Sequence, residues 1–431
     1  MKDSIKACIL DFQQSPLPSF YARQHNFKPM LGKALTLIGM RRTGKSTLLM
    51  QLIAELLQSK ADMGQVVYLN FVDERLRSIQ AKDLGLILEA YNELFPDQDK
   101  PIYYFFDEIQ YIEAWEFFVE RVLRMPKAHV YLTGSSAKML STEIASAMRG
   151  RSLVYEVFPF SFTEYLGFNK IDFHHISTKQ KARITQAFAH YRSYGGFPEV
   201  LSIPDNQHRM ILQDYYRTVL TRDMIERHNA DQPKLVGEVM RSLTQQVAGL
   251  YTLNKLGHRL KSLGYRFAKS ELGEIVDWMN DAFYFYPITI FSQSIAKQNT
   301  NPKKGYLIDN GIIRALQFDI FENHGRLLEN LVFMELRRQH PEIFYYKTRA
   351  GEEVDFVFKH QRQLHLIQVC ETLRDPDTEK REVKALAAAM KELGVKVGTI
   401  LTADEEKTIA VEKGSIRVWP VWRYLLDNPK L

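Results

Sequence analysis

The sequence predicts an α/β protein: a parallel-sheet domain first, a mainly helical middle region, and a second α/β domain at the C-terminal end. Three observations predict it. From Leu31 to Thr133, short and nearly continuous apolar runs alternate with amphipathic stretches, the pattern of parallel strands covered on both faces. After Phe158 the alternation gives way to helical periodicity. From about Lys304 strands and helices alternate again. At 431 residues the chain has room for two or three domains, and 45% hydrophobic with 25% charged residues is an ordinary globular balance.

Taken in order, residues 1–30 read as an extended adapter, because Pro16 and Pro18 interrupt a segment without a strong period. Ala34–Ile38 reads as a buried strand and Lys45–Ser59 as a helix with Leu48, Leu49, Leu52, Ile53 and Leu56 on one face. The strands Gln65–Phe71, Ile102–Phe106 and His129–Thr133 follow, with helices over Ala81–Leu94 and Trp115–Arg124 between them. Residues 31–160 therefore make the first domain. Residues 161–230 read as a helical lid, broken at Tyr194-Gly195-Gly196-Phe197-Pro198-Glu199 and including a helix over Gln207–Arg227. Residues 231–303 combine short helices with aromatic strand material at Phe283–Tyr286, as a winged-helix region would. Residues 304–431 carry a helix at Gly325–Gln339, strands at Ile343–Tyr346, Glu353–Phe358 and Leu364–Val369, a helix at Glu379–Glu392 and a strand at Val395–Leu401.

Composition narrows the partners. The net charge of +6 permits a nucleic-acid partner without requiring one. The two cysteines, Cys8 and Cys370, are far apart and have no metal-ligand spacing, which predicts free thiols in a reducing, cytoplasmic setting. The first residues have neither the apolar core nor the cleavage site of a secretory leader, and no apolar run is long enough to span a bilayer, so no membrane partner is expected.

The sharpest motif is Gly39-Met40-Arg41-Arg42-Thr43-Gly44-Lys45-Ser46, followed by Thr47, between an apolar strand and an amphipathic helix. It matches G-x-x-x-x-G-K-[ST], a P-loop. Glycines let backbone N–H groups curl around phosphate oxygens, and the helix N-terminus favours an anion. Lys45 would reach the β- and γ-phosphates of ATP, and the Ser46 hydroxyl would ligate Mg²⁺. An apolar strand ending in Asp107-Glu108 supplies the second half: Asp107 for the metal, Glu108 to polarise the attacking water. Thr133 or Ser135, at the end of the following strand, is placed to sense the γ-phosphate or simply to form a turn. Arg149 and Arg151 are candidates for contacting phosphate, in cis or from a neighbouring subunit of a homo-oligomer, against the plainer reading of a solvated basic loop.

GMRRTGKST, YYFFDEIQ, YLTGSSAKML, RGRSLVYEVFPFSFTEYL, YGGFPEVL, KKGYLIDNGI, GRLLENLVFMELRR and EEVDFVF, in that order, resemble the prokaryotic AAA-type ATPases that carry a C-terminal nuclease-like domain. The resemblance covers most of the chain. It implies an AAA+ core, a winged-helix region and a domain of the PD-(D/E)xK, restriction-endonuclease-like fold, and it supplies no substrate. In that fold a helix Glu, a strand Asp and an E-x-K gather Mg²⁺. Glu329 and Asp355 match the first two, but Gln368-Val369-Cys370 stands where E-x-K belongs. One anionic ligand and the cation are missing together, which predicts a degenerate domain unless Lys347 or Lys384 reaches the site.

In the middle region Lys255, His258, Arg259, Lys261, Arg266 and Lys269 offer DNA phosphates a basic face, or a solvated helix surface to water. The expected function is an ATP- and Mg²⁺-dependent switch or motor. The alternatives are an ATP-regulated metal-dependent nuclease and a non-catalytic DNA- or protein-binding regulator.

Overall fold

Apolar strands followed by amphipathic helices fold here as the periodicity predicts. The structure is a computed structural model that describes residues 1–135, 148, 150–174, 176–316 and 324–427. Ser136 and Arg149 lie outside the described residues. The chain divides into two compact units, Met1–Phe158 with Asp281–Phe283, and Pro159–Asn280 with Tyr284–Leu431.

The first unit holds a five-stranded sheet of order β2-β3-β4-β1-β5, parallel throughout. Its strands are β1 (Ala34–Ile38), β2 (Val66–Asn70), β3 (Ile102–Asp107), β4 (Ala128–Gly134) and β5 (Ser152–Glu156). Helices α2 (Lys45–Gln58), α3 (Gly85–Leu94) and α4 (Trp115–Leu123) follow β1, β2 and β3 in sequence. Leu35, Leu37, Phe105 and Tyr131 of the sheet pack with Leu48, Leu49, Leu52 and Ile53 of α2. Phe105 and Tyr131 stack at 4.3 Å between ring centres, a contact between neighbouring strands that parallel register permits.

Two features differ from expectation. Residues 1–30 are not wholly extended: Lys2–Gln14 forms α1, which buries Ile5, Cys8 and Ile9. The spacing of these three is helical, but three residues give too short a stripe to read with assurance from sequence. β5 was not anticipated either, since its residues are only half-buried and lack the dense apolar run of the inner strands.

In the second unit, helices α5 (Phe162–Phe168), α6 (Thr178–Tyr194) and α7 (Asp205–Thr218) come first. The helix expected over Gln207–Arg227 is α7 continuing as a π-helical stretch, Val219–Glu226. Next come α8 (Pro233–Gln245), β6 (Leu250–Tyr251), α9 (Leu253–Ser262), α10 (Lys269–Asp281), β7 (Phe285–Ile288) and β8 (Lys303–Leu307). The three strands pair antiparallel in the order β6-β8-β7. The aromatic strand starts two residues later than the sequence suggests, because Phe283 takes a left-handed backbone (φ 54) that cannot continue a ladder.

The C-terminal part begins with α11 (His324–Gln339) and builds a mixed six-stranded sheet of order β13-β14-β12-β11-β10-β9. These strands are β9 (Ile343–Lys347), β10 (Glu353–His360), β11 (Gln363–Val369), β12 (Val397–Thr402), β13 (Lys407–Val411) and β14 (Gly414–Pro420), with α12 (Pro376–Leu393) between β11 and β12. The β13–β14 hairpin goes beyond the expected strands. Its ends are joined through Glu412-Lys413, and Gly414 has φ 149. No helix among the described residues is long and apolar enough to cross a membrane.

Candidate functional site

Parallel strands bring their C-terminal ends to one edge of the sheet, which is where α/β proteins assemble sites. Register puts Leu37 opposite Thr133 and Ile38 opposite Gly134 across β1 and β4, while Phe106 of β3 faces Leu132 of β4. Gly39 after β1, Asp107 at the end of β3 and Thr133 near the end of β4 therefore meet at one edge.

The P-loop has backbone angles that only its sequence tolerates well. Gly39 has φ 145, and a Cβ there would lie 2.4 Å from the Val157 carbonyl oxygen. Gly44 has φ 94 and stands as the N-cap of α2, with no side chain capping the helix. The first-turn amides of α2 are thus left for an external acceptor, and the helix dipole favours an anion at that end. Lys45 is buried, and its ammonium donates to the carbonyls of Gly39 and Met40, both at 3.0 Å. It lies 4.0 Å from Glu108 Oε1. The Thr43 hydroxyl closes the loop by donating to the Met40 carbonyl at 2.9 Å.

Asp107 is fully buried. Its Oδ1 accepts from the Thr133 hydroxyl, and its Oδ2 accepts from the Tyr68 hydroxyl at 2.8 Å. Burial pushes the Asp107 carboxyl above its ordinary range; hydrogen bonds from Thr133, Ser46 and Tyr68 oppose this, and the Glu108 charge adds to it. Ser46 and Asp107 thus come within hydrogen-bonding reach. A desolvated carboxylate beside a hydroxyl is a hard-oxygen donor set that suits Mg²⁺, with water completing the shell.

Glu108 follows the strand in the left-handed region, φ 56. Its backbone N–H donates to the Thr133 hydroxyl oxygen at 2.8 Å. Thr133 therefore joins the two carboxylate residues. Gln110 Nε2 donates to Glu108 Oε2 and to Ser135 Oγ, the latter at 3.3 Å.

Sequence reasoning missed Tyr68, Gln110 and Arg23. The Arg23 guanidinium donates to the carbonyls of Thr43 and Phe158, at 3.1 and 3.0 Å, so the N-terminal segment is fastened to the P-loop. Only the polar character of Tyr68 and Gln110 within apolar surroundings hinted at their roles. Arg151 corrects an expectation. Its carbonyl accepts from Ala34 N at 2.8 Å, at the start of β1, whereas the P-loop follows the other end of that strand. At about 3.3 Å of rise per residue the strand separates them too far for a role in the same chain. Arg149 lies outside the described residues.

The C-terminal pair also meets, but not as a metal site. Glu329 of α11 and Asp355 of β10 are buried around the ammonium of Lys304, on β8. Lys304 Nζ lies 2.8 Å from Glu329 Oε1, 2.7 Å from Asp355 Oδ1 and 2.9 Å from Glu353 Oε1. Asp355 Oδ2 accepts from Val369 N at 2.8 Å, and Glu329 Oε1 accepts from the Tyr306 hydroxyl at 2.6 Å. Gln368, which stands where the Glu of E-x-K belongs, is committed elsewhere: its Oε1 accepts from Asp355 N at 3.1 Å and its Nε2 donates to Glu382 at 2.6 Å. Burial pushes the Cys370 thiol up to about 12, so it offers no charge. Lys384 is drawn off to Glu352 at 2.6 Å, and Lys347 stands across the ladder from Glu353 at the end of β9. The three carboxylates converge on an ammonium, which holds the place a divalent ion would take. The residues present do not fit Mg²⁺. Lys304 had a sequence signal: strand alternation puts it on the same face as Tyr306, one turn of pleat away.

Known proteins agree in outline. A family model described as an AAA domain matches residues 31–166, and two models described as domains of unknown function match residues 185–323 and 324–424. An uncharacterized protein of Methanocaldococcus jannaschii, MJ1544, is 32% identical over 415 residues, covering 94% of this chain and 90% of that one. An uncharacterized protein of Haemophilus influenzae is 28% identical over 339 residues, 77% of this chain and 80% of that one. The structure of the Aeropyrum pernix ORC1 protein in complex with DNA overlaps at a TM-score of 0.31 and 13% identity, over 73% of this chain and 92% of that one, too loosely to carry an argument.

Proposed function

Because the chain belongs to the same family as the Methanocaldococcus jannaschii protein and matches an AAA domain over residues 31–166, we propose that it is an ATP-dependent switch or motor that hydrolyses ATP with Mg²⁺. The reading is carried by one observation: Lys45, Ser46, Asp107, Glu108 and Thr133 converge at the carboxyl edge of a parallel sheet, around an uncapped helix N-terminus. Loop amides and Lys45 would hold the β- and γ-phosphates. Ser46 and Asp107 would hold Mg²⁺, which when bound neutralises charge on the phosphate oxygens. Glu108 would orient and polarise the attacking water, and Thr133, fastened to both carboxylate residues, would relay the state of the γ-phosphate. Release of Glu108 from Gln110 would be part of reaching the competent arrangement.

A DNA contact belongs to the same proposal. The order α8-β6-α9-α10-β7-β8 supports a winged-helix reading. Lys255, His258, Arg259 and Lys261 are exposed on α9, and Arg266 and Lys269 are exposed just after it. In a helix-turn-helix the second helix enters the groove. Here that helix, α10, carries Glu271, Glu274, Asp277 and Asp281 against Lys269. Phosphate repels such a face, so the contact proposed is with the backbone through α9, without base reading.

The test is binding of a fluorescent ATP analogue, and phosphate release, by the wild type and Lys45→Ala, each with and without duplex DNA. The variant should lose binding and turnover. Equal binding in Lys45→Ala would sink the nucleotide site. Turnover and binding indifferent to DNA at low salt would remove the DNA contact and leave the nucleotide site standing.

A further inference from the structure

We propose that Lys304 is the resident cation of the C-terminal carboxylate cluster: its ammonium stands where a nuclease-like domain would hold a divalent metal, and the cluster fastens the fold rather than cutting nucleic acid. The inference does not depend on the nucleotide reading.

The match between donor and acceptors is complete. An ammonium has three N–H donors and no acceptor. Lys304 meets three carboxylates at 2.7, 2.8 and 2.9 Å. They come from different elements: Glu329 from α11, and Glu353 and Asp355 from β10, while Lys304 itself rides on β8. Lys304 is only 2% exposed, so water cannot take over these bonds. A charge buried to this extent is tolerated only when paired and hydrogen-bonded, and this one is.

Neighbouring side chains fix the arrangement. Tyr306, two residues along β8, donates to Glu329 and stacks on Phe333 at 4.2 Å, one helical turn from Glu329. Asn330 pairs with the β8 backbone in both senses, accepting from Leu307 N at 2.8 Å and donating to Leu307 O at 3.0 Å. β8 and α11 are therefore tied at Tyr306 and Leu307, next to Lys304. The ammonium occupies the point where the three carboxylates converge, so a divalent ion could bind there only by displacing it.

Lysine is thus what keeps a metal out, and removing it should uncover a site. Three carboxylates converging on the vacated volume are hard oxygen donors of the kind that take Mn²⁺ or Mg²⁺. The experiment measures Mn²⁺ binding to the full chain without nucleotide, from the free-ion signal in electron paramagnetic resonance. It compares the wild type, Asp355→Asn, Lys304→Ala and the double variant. Lys304→Ala should gain about one bound Mn²⁺ per chain. The double variant should lose that ion, and the wild type should hold no Mn²⁺ that Asp355→Asn removes. Asp355-dependent Mn²⁺ binding, or Asp355-dependent nicking of plasmid DNA with Mn²⁺, in the wild type would overturn the proposal. So would a folded Lys304→Ala that gains no ion. Should Lys304→Ala fail to fold, the wild-type arm alone decides: Asp355-dependent binding or nicking overturns the proposal, and the absence of both upholds it.

Discussion

Each unit of this molecule brings one buried lysine close to carboxylates, and the two lysines are held in opposite ways. Lys45 donates to two neutral carbonyls of its own loop and stays 4.0 Å from Glu108. Lys304 is saturated by three carboxylates at less than 3 Å. A neutral carbonyl gives up an ammonium readily to an anionic ligand, since charge-assisted bonds are roughly twice as strong. A lysine satisfied by charged partners has nothing to gain from one. On the proposed reading the P-loop lysine exchanges these carbonyls for phosphate, while the C-terminal lysine has already found its counter-ions. A lysine beside an Asp and a Glu is therefore not evidence of chemistry until its donors have been accounted for.

The contrast can be broken most forcefully at Glu108. If it polarises the attacking water, Glu108→Gln should slow turnover by about 10²–10⁴-fold while ATP stays bound. Single-turnover hydrolysis with trapped nucleotide reads this, and turnover near that of the wild type would take Glu108 out of the role.

Lys304→Met comes next. It leaves buried carboxylates without their cation, and breaking a buried pair from one side costs about 3–5 kcal/mol. Urea denaturation followed by the fluorescence of Trp419 and Trp422 should show it in the C-terminal unit. A loss under about 1 kcal/mol would mean that the cluster contributes little.

The third prediction concerns pH. One ammonium cannot neutralise three carboxylates, and burial first, then the Asp355 charge, raise Glu329 from 4.5 to about 8, against the opposing pull of Lys304. The folded state then binds more protons than the unfolded state between those values. The stabilisation is fully present below the unfolded pKa and is lost as pH rises through the folded one. Wild type should lose on the order of 3 kcal/mol relative to Glu329→Gln from about pH 5 to 8. Parallel stability profiles for the two proteins across that range would contradict the raised value.

The smallest effect is expected at Tyr68. Tyr68→Phe removes one of the donors to Asp107 and should cost about 1–2 kcal/mol of stability in the first unit, with turnover reduced far less than in Glu108→Gln. A turnover defect equal to that of Glu108→Gln would make Tyr68 part of the chemistry rather than of its support.

Much of the first unit was legible because its signals are local. A P-loop is eight consecutive residues, and its strand and helix lie directly on either side. Asp107-Glu108 closes the apolar run Ile102–Phe106, which folds as β3. α1 was not legible, because three buried residues, Ile5, Cys8 and Ile9, do not outweigh an otherwise polar segment. The reach of Arg151 was misjudged for another reason: closeness in sequence to a motif says nothing about which end of a strand a residue occupies.

The amino-acid order alone determined that a P-loop motif and an Asp-Glu pair exist, and that Gln368 and Cys370 stand where the resemblance would place E-x-K. Its local nature is the reason: backbone freedom at Gly39 and Gly44 and the charge of Lys45 act within one turn. Only the tertiary structure decided what the remaining carboxylates do. Lys304 lies 25 residues before Glu329 and 51 before Asp355, and nothing in their spacing says that an ammonium will be driven between them. That outcome came from packing β8 against α11 and β10, where a buried charge must find its partners within a few ångströms.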